Sequence, residues 1–253
     1  MLVLSISTLL GFLLTLARVA GVFVFLPIPG ITGMLQPARV ILALSITVAL
    51  FPEWPRVAAE PSGGLLAMWI LTEAVLGIGI GLAVGFIAEA LSVGAQVLGL
   101  QAGYSFAATF DPNTEADSTV LVVFSQLAAG LLFFVSGLHH ELIRVFARSL
   151  EICPPGTYTM SRGAGGEILL LGGMMFTTGL RLALPLITVL VMVDISLALL
   201  GRVNAQMQLL HLAFPIKMML ALAMLGWVAL LIPALYRAGA NNALMAAGRL
   251  IAH

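Results

Sequence analysis

The sequence predicts an all-α, integral-membrane protein, and three observations carry that prediction. Mean hydropathy is +1.13. Only 9% of the 253 residues are charged, against about 25% in soluble domains. The apolar residues are gathered into long blocks separated by proline- and glycine-containing breaks. A soluble fold of this composition would expose apolar patches large enough to aggregate, so the bilayer, or a complex within it, is the better solvent.

The blocks follow in order. A transmembrane helix needs roughly 20 mainly apolar residues. Blocks 1–26, 38–51, 65–100, 119–138, 168–200 and 212–236 meet or approach that length. Block 1–26 has no basic leading region and no clear small-residue cleavage site, so it reads as a retained membrane segment and not a signal peptide. Block 38–51 is short for a span. Block 65–100, as a single helix, would run roughly 54 Å at 1.5 Å per residue. That exceeds a hydrocarbon core of about 30 Å, so it either folds into a hairpin or projects beyond the membrane. Prolines 27, 29, 37, 52, 55, 61, 112, 154 and 155 mark joints between blocks. Pro185 interrupts a block, removing a helical donor and freeing the carbonyl of Arg181. On a six-span arrangement, the even loops and the tail hold Arg56, Arg144, Arg148, Arg162, Arg237 and Arg249, and the odd loops only Arg39 and Arg202. The positive-inside rule then places both termini in the cytoplasm.

Charge and cysteine content exclude several classes. Eleven basic residues balance eleven acidic ones, which gives no electrostatic footprint for nucleic acid. A single cysteine, Cys153, rules out an internal disulfide and any multi-cysteine metal site. The run HHELIR (139–144) approaches a zinc-protease HExxH, but Arg144 stands where the second histidine ligand is needed. No phosphate-binding loop is present: GIGIGLAVG (77–85) lacks a following lysine and lies inside an apolar block. The residues support no enzyme activity, no cofactor and no metal.

Two features of the apolar blocks call for neighbours. Arg18, Glu73, Glu89, Arg181, Asp194 and Lys217 lie within them. Each costs about 2.5–3.5 kcal/mol at a helix centre. Buried ion pairs between helices are the plain reading. An ion or substrate path of the secondary-transporter kind, using Arg181, Asp194 and Lys217, is the alternative, although the internal repeats usual in transporters are not evident. Gly77, Gly81 and Gly85 recur every four residues, a spacing that lets helix backbones approach closely. Glu73 stands one turn before that stripe. The run SFAATFDPNTEADSTV (105–120) is the acidic exception in the chain, with Asp111, Glu115 and Asp117 and no basic residue. On the residues alone it reads as an extramembrane loop.

The sequence resembles the FliR/SctT family, the R subunit of type III export gates, nearly from end to end. The resemblance begins with ARVAGVFVFLPIPG (17–30) and Pro37-Ala38-Arg39, and is strongest in GLQAGYSFAATFDPNTEADSTVL (99–121). It continues through FFVSGLHHELIRVFARSLEICPPG (133–156), ALPLI (183–187), GRVNAQM (201–207) and FPIK (214–217). The SFAxxxDP form and GLHHELI lean towards the flagellar branch, the injectisome branch being the alternative. Two departures stand out: Val40-Ile41-Leu42 follows Arg39 where a second basic residue is common, and Ala205 replaces a proline in the Arg202 turn.

The resemblance implies broken, tilted helical hairpins like a fusion of two companion gate subunits. Residues 1–167 would be P-like and 168–253 a Q-like hairpin. It implies a place in the inner membrane at the flagellar basal body. The implied partners are FliP, FliQ, FlhB and FlhA, membrane lipid and unfolded export substrates. It further implies that residues 103–118 form part of a plug closing the export channel. There Gly103 and Asp111-Pro112-Asn113 would supply turns, Tyr104, Phe106 and Phe110 would supply bulk, and Asp111, Glu115 and Asp117 would face water.

Overall fold

A computed structural model describes residues 5–26, 36–55, 61–104, 120–158, 164–203, 209–230 and 232–252. Among these the chain is helical throughout, with no strand. The helices are α1 (Ile6–Phe25), α2 (Gln36–Ala49), α3 (Gly63–Ala102), α4 (Val120–Val135), α5 (Leu138–Ile152), α6 (Ala164–Val203), α7 (Leu209–Val228) and α8 (Ile232–Ala252), with a 3-10 turn at Phe51–Glu53. The all-α expectation holds.

Several termini have a local cause. Ser5 caps α1, its hydroxyl accepting from the Thr8 amide. Gly103 ends α3 at φ +90°, in the left-handed region that glycine enters without a Cβ penalty. A Cβ there would also come within 2.8 Å of the Phe214 ring. Gly137, at φ +75°, stands between α4 and α5. These two helices meet at 67°, so a new helix axis follows the apolar block 119–138. HHELIR opens this second, amphipathic helix, with Leu138, Leu142 and Phe146 buried. Arg144 pairs with Glu141 on its exposed face at 2.7 Å.

Block 65–100 is a single 40-residue helix, about 60 Å long. The hairpin alternative is excluded, and α3 outruns a hydrocarbon core of about 30 Å. α6 is equally long and continues through Pro185 without a break. Among the described residues, three helices are long and apolar enough to cross a membrane: Ile6–Phe25, Gly63–Ala102 and Gly165–Arg202. The bent pair α4–α5 brings the number to four if it counts as one span. The described helices therefore offer fewer spans than the six-span arrangement, and the orientation drawn from it loses that basis.

α3 is the spine of the fold. α1 lies along its first half, where small residues let the two backbones nearly touch. A Cβ on Gly77 would lie 2.0 Å from the Arg18 carbonyl oxygen, on Gly81 2.5 Å from that of Val22, and on Gly85 2.7 Å from that of Phe25. Gly21 of α1 answers from the other side, 2.5 Å from the Ala74 oxygen. Farther along, α6 packs on α3 in the same way, Gly179 against Ala90 and Gly94 against Gly179. The core follows this seam, with Leu76, Ile80 and Val84 of α3 fully enclosed among Val19 and Val22 of α1, Phe133 of α4 and Phe146 of α5.

A methyl group at Gly77 must push two backbones apart, and overpacking of this kind costs about 1–3 kcal/mol. Gly64, at the start of the same helix, has nothing within 4 Å of its Cβ position. Gly77→Ala is therefore expected to lower the thermal stability of the purified protein, and Gly64→Ala to leave it unchanged. Equal melting temperatures for the two variants would show that the α1–α3 approach is not tight.

Candidate functional site

Two polar junctions stand out among the described residues of this apolar fold, one near each end of α3. The first is built on Arg18 of α1 and Glu73 of α3, both 0% exposed. Arg18 Nε donates to Glu73 Oε2 at 2.5 Å. Its two terminal nitrogens reach α5 and the turn beyond. Nη1 donates to the Ser149 carbonyl at 2.8 Å and to its hydroxyl at 3.2 Å, and Nη2 donates to the Cys153 carbonyl at 2.9 Å. The second carboxylate oxygen of Glu73 accepts the Gly156 amide at 2.9 Å. Gly156 sits at φ +90°, where a Cβ would meet the Trp69 ring at 3.2 Å.

The junction thus uses the planar fork of arginine to satisfy three residues at once. Two of the groups it engages are carbonyls at the C-terminal end of α5: that of Ser149, which also accepts the Cys153 amide, and that of Cys153 at the cap. CPPG (153–156) is consequently more than a turn, because its backbone supplies one acceptor and one donor to the buried pair. Tyr158 covers the site at 8% exposure. Burial is the main cause raising its phenol above the usual range.

The second junction joins α3, α6 and α7. Lys217 Nζ lies 2.9 Å from both carboxylate oxygens of Asp194, and Gln101 Nε2 donates to Asp194 Oδ2 at 3.1 Å. Three residues on, the Tyr104 hydroxyl donates to the Met218 carbonyl at 3.0 Å. That bond is available because Tyr104 follows the glycine that ends α3 and turns back towards α7.

The charges singled out in the sequence therefore separate into three groups. Arg18 and Glu73 pair, and so do Asp194 and Lys217. Glu89 and Arg181 are exposed and have no ion-pair partner among the described residues. Arg181 lies thirteen residues before Asp194 on α6, about 20 Å along the axis. The three charges of the transporter reading do not converge on one site. Of the acidic segment and its approach, Gly103 and Tyr104 are in place as described; Phe106, Phe110, Asp111, Pro112, Asn113, Glu115 and Asp117 lie outside the described residues. Sequence reasoning does not find the roles of Gln101, Ser149, Gly156 and Tyr158. Gln101 and Ser149 are uncharged, and the other two act through backbone or coverage, so no charge in an apolar block marks them.

Removing one member of a buried pair leaves the other charge uncompensated, typically at about 3–5 kcal/mol. Glu73→Leu is expected to reduce recovery of folded protein strongly, because it strands Arg18 and frees the Gly156 amide. Glu115→Leu, in the acidic segment, should leave recovery near that of the parent. Equal recovery of the two variants would remove Glu73 from the packing of the fold.

The family model described as "Bacterial export proteins, family 1" matches residues 9–243. The flagellar biosynthetic protein FliR of Escherichia coli K12 is 29% identical over 212 residues, covering 83% of this chain and 81% of the relative. FliR of Pectobacterium carotovorum is 31% identical over 193 residues, covering 76% and 74%. The surface presentation of antigens protein SpaR of Salmonella typhimurium is 26% identical over 214 residues, covering 83% and 78%. The chain belongs to the FliR/SctT family of bacterial export proteins.

Proposed function

We propose that this chain is a non-enzymatic channel subunit of the flagellar type III protein export gate in the bacterial inner membrane. In this reading it assembles with FliP and FliQ, and is contacted by FlhB and FlhA, around a path for unfolded export substrates. Residues 1–167 take the P-like position and 168–253 the Q-like position. Residues 103–118 contribute to the plug that closes the path at rest.

The observation that carries the reading is the uncovered side of α6. Along its length Leu169, Phe176, Leu184, Met192, Ile195 and Leu199 are each more than half exposed. The helix is about 60 Å long, so lipid alone does not cover this face within a hydrocarbon core of about 30 Å. An apolar face that outruns the membrane calls for protein neighbours. The FliR relatives, named as flagellar biosynthetic proteins, support the flagellar setting.

The geometry at the end of α3 supports the plug. Gly103 and Tyr104 fix the departure point of the acidic segment against α7. That segment is therefore launched from a tied base, while its own Pro and Asn residues need no regular ladder. A closing element of this kind contributes bulk and little to the stability of the surrounding helices.

Deletion of residues 105–115 is expected to leave the assembly intact and to make the membrane leaky to small ions. Membrane conductance, or sensitivity to a small solute, is compared in cells carrying matched amounts of parent and shortened assemblies. A membrane as tight as the parent, with the assembly present, would show that these residues are not the plug. Loss of the assembly itself would make the segment a structural element.

A further inference from the structure

Between α3, α6 and α8 the fold leaves an open cavity of about 320 Å³. It is separate from both polar junctions, and its chemistry is one-sided. Arg181 and Thr178 of α6 and Tyr236 and Asn242 of α8 line it, with no carboxylate among the described residues of the wall. Tyr236 is only 2% exposed, and its buried hydroxyl has no hydrogen-bond partner among the described residues. Such an orphan is costly to keep. Arg181 adds a guanidinium with five N–H donors and no acidic partner among the described residues. The remaining wall is apolar, with Phe86 of α3 and Met174 of α6 among its residues.

Donors in excess, one fixed positive charge and apolar walls complement an anion with several acceptor oxygens carried on a hydrocarbon body. A guanidinium binds a phosphate in a planar, bidentate manner. The position along α6 fits the same ligand. Seventeen residues of α6 precede Arg181 and twenty-two follow it, lengths of about 26 Å and 33 Å. Either part by itself nearly spans a hydrocarbon core of about 30 Å, so a bilayer placed over one part of α6 sets Arg181 at the level of one leaflet's headgroups. Glu89 and Arg237 are not part of the cavity wall.

We propose that this cavity is a binding site for an anionic phospholipid, whose phosphodiester is held by Arg181 and Tyr236 while its glycerol and first methylenes lie along the apolar wall. A carboxylate from a neighbouring protein chain offers Arg181 the same number of charged oxygens as a phosphodiester, but no hydrocarbon body to match the apolar wall. The phospholipid supplies both, and its acyl chains continue onto the exposed apolar face of α6.

The test is lipid titration of the full chain, in the complex with which it is purified in mild detergent, read by native mass spectrometry. Dioleoylphosphatidylglycerol is expected to be retained by this chain. Arg181→Ala should weaken retention about tenfold and Tyr236→Phe about threefold, as loss of a charged and a neutral hydrogen bond respectively implies. Arg144→Ala, which removes an exposed cation elsewhere, should retain the lipid like the parent. Dioleoylphosphatidylcholine should bind far more weakly, and inorganic phosphate should not displace the bound lipid. Retention unaffected by Arg181→Ala would overturn the proposal. So would equal retention of the two lipids, displacement by free phosphate, or failure of the complex to take up phosphatidylglycerol because a neighbouring chain fills the cavity.

Discussion

The buried pair of Arg18 and Glu73 is the constraint on which the rest of the structure depends. Two charges at 0% exposure in a chain of this apolarity are tolerable only if nearly every hydrogen-bonding group is used. Here the guanidinium meets a carboxylate, two carbonyls and a hydroxyl, and the carboxylate also accepts a backbone amide. That requirement fixes where α5 ends, which way 153–156 turns, and how α1 is registered on α3. The glycines serve the same end. Because Gly77 lets the Arg18 backbone rest on α3, the arginine side chain has no wider gap to cross before reaching Glu73 one turn away.

The second junction differs in kind. Asp194 is 42% exposed at its side chain and Lys217 11%, so solvent or a neighbour can reach it. It lies some 42 Å from the first along α3, counted as 28 residues from Glu73 to Gln101 at about 1.5 Å each. A long helix tied at both ends suits the proposed gate. There the first junction holds the P-like part together, and the second holds the base of the acidic segment against α7. Opening such a gate needs to displace only the segment beyond Tyr104, while the helices around it keep their places. The uncovered face of α6 and the donor-lined cavity beside α8 belong to the outer side of the same body in that reading, where lipid and neighbouring subunits compete for contact.

Much of the fold was legible because apolar blocks in a membrane chain have few alternatives to helices. Block 65–100 was too long for a single bilayer span and left a hairpin and a projecting helix open; α3 is the latter. The 212–236 block was less readable. It divides into α7 and α8 around 229–231, and the polar half of α8 hid its helical character from a hydropathy reading. α5 was missed for a similar reason: its polar face dilutes its mean hydropathy, while buried Leu142, Phe146 and Leu150 tie it to the core at helical spacing. Glu73 and Arg18 each stood out as a charge among apolar residues, but 55 positions separate them and no local rule joins such a pair. Pro185 looked like a break and is not one: α6 runs through it from Ala164 to Val203.

Arg18 and Glu73 stabilise the fold through each other and not as separate packing residues. A double-mutant cycle tests this directly, using thermal unfolding of the purified assembly with Arg18→Leu, Glu73→Leu and both together. Coupling is predicted: the double variant should lose clearly less stability than the two single losses combined, since neither charge is then stranded. Strictly additive losses would mean instead that the two side chains act independently in the folded protein.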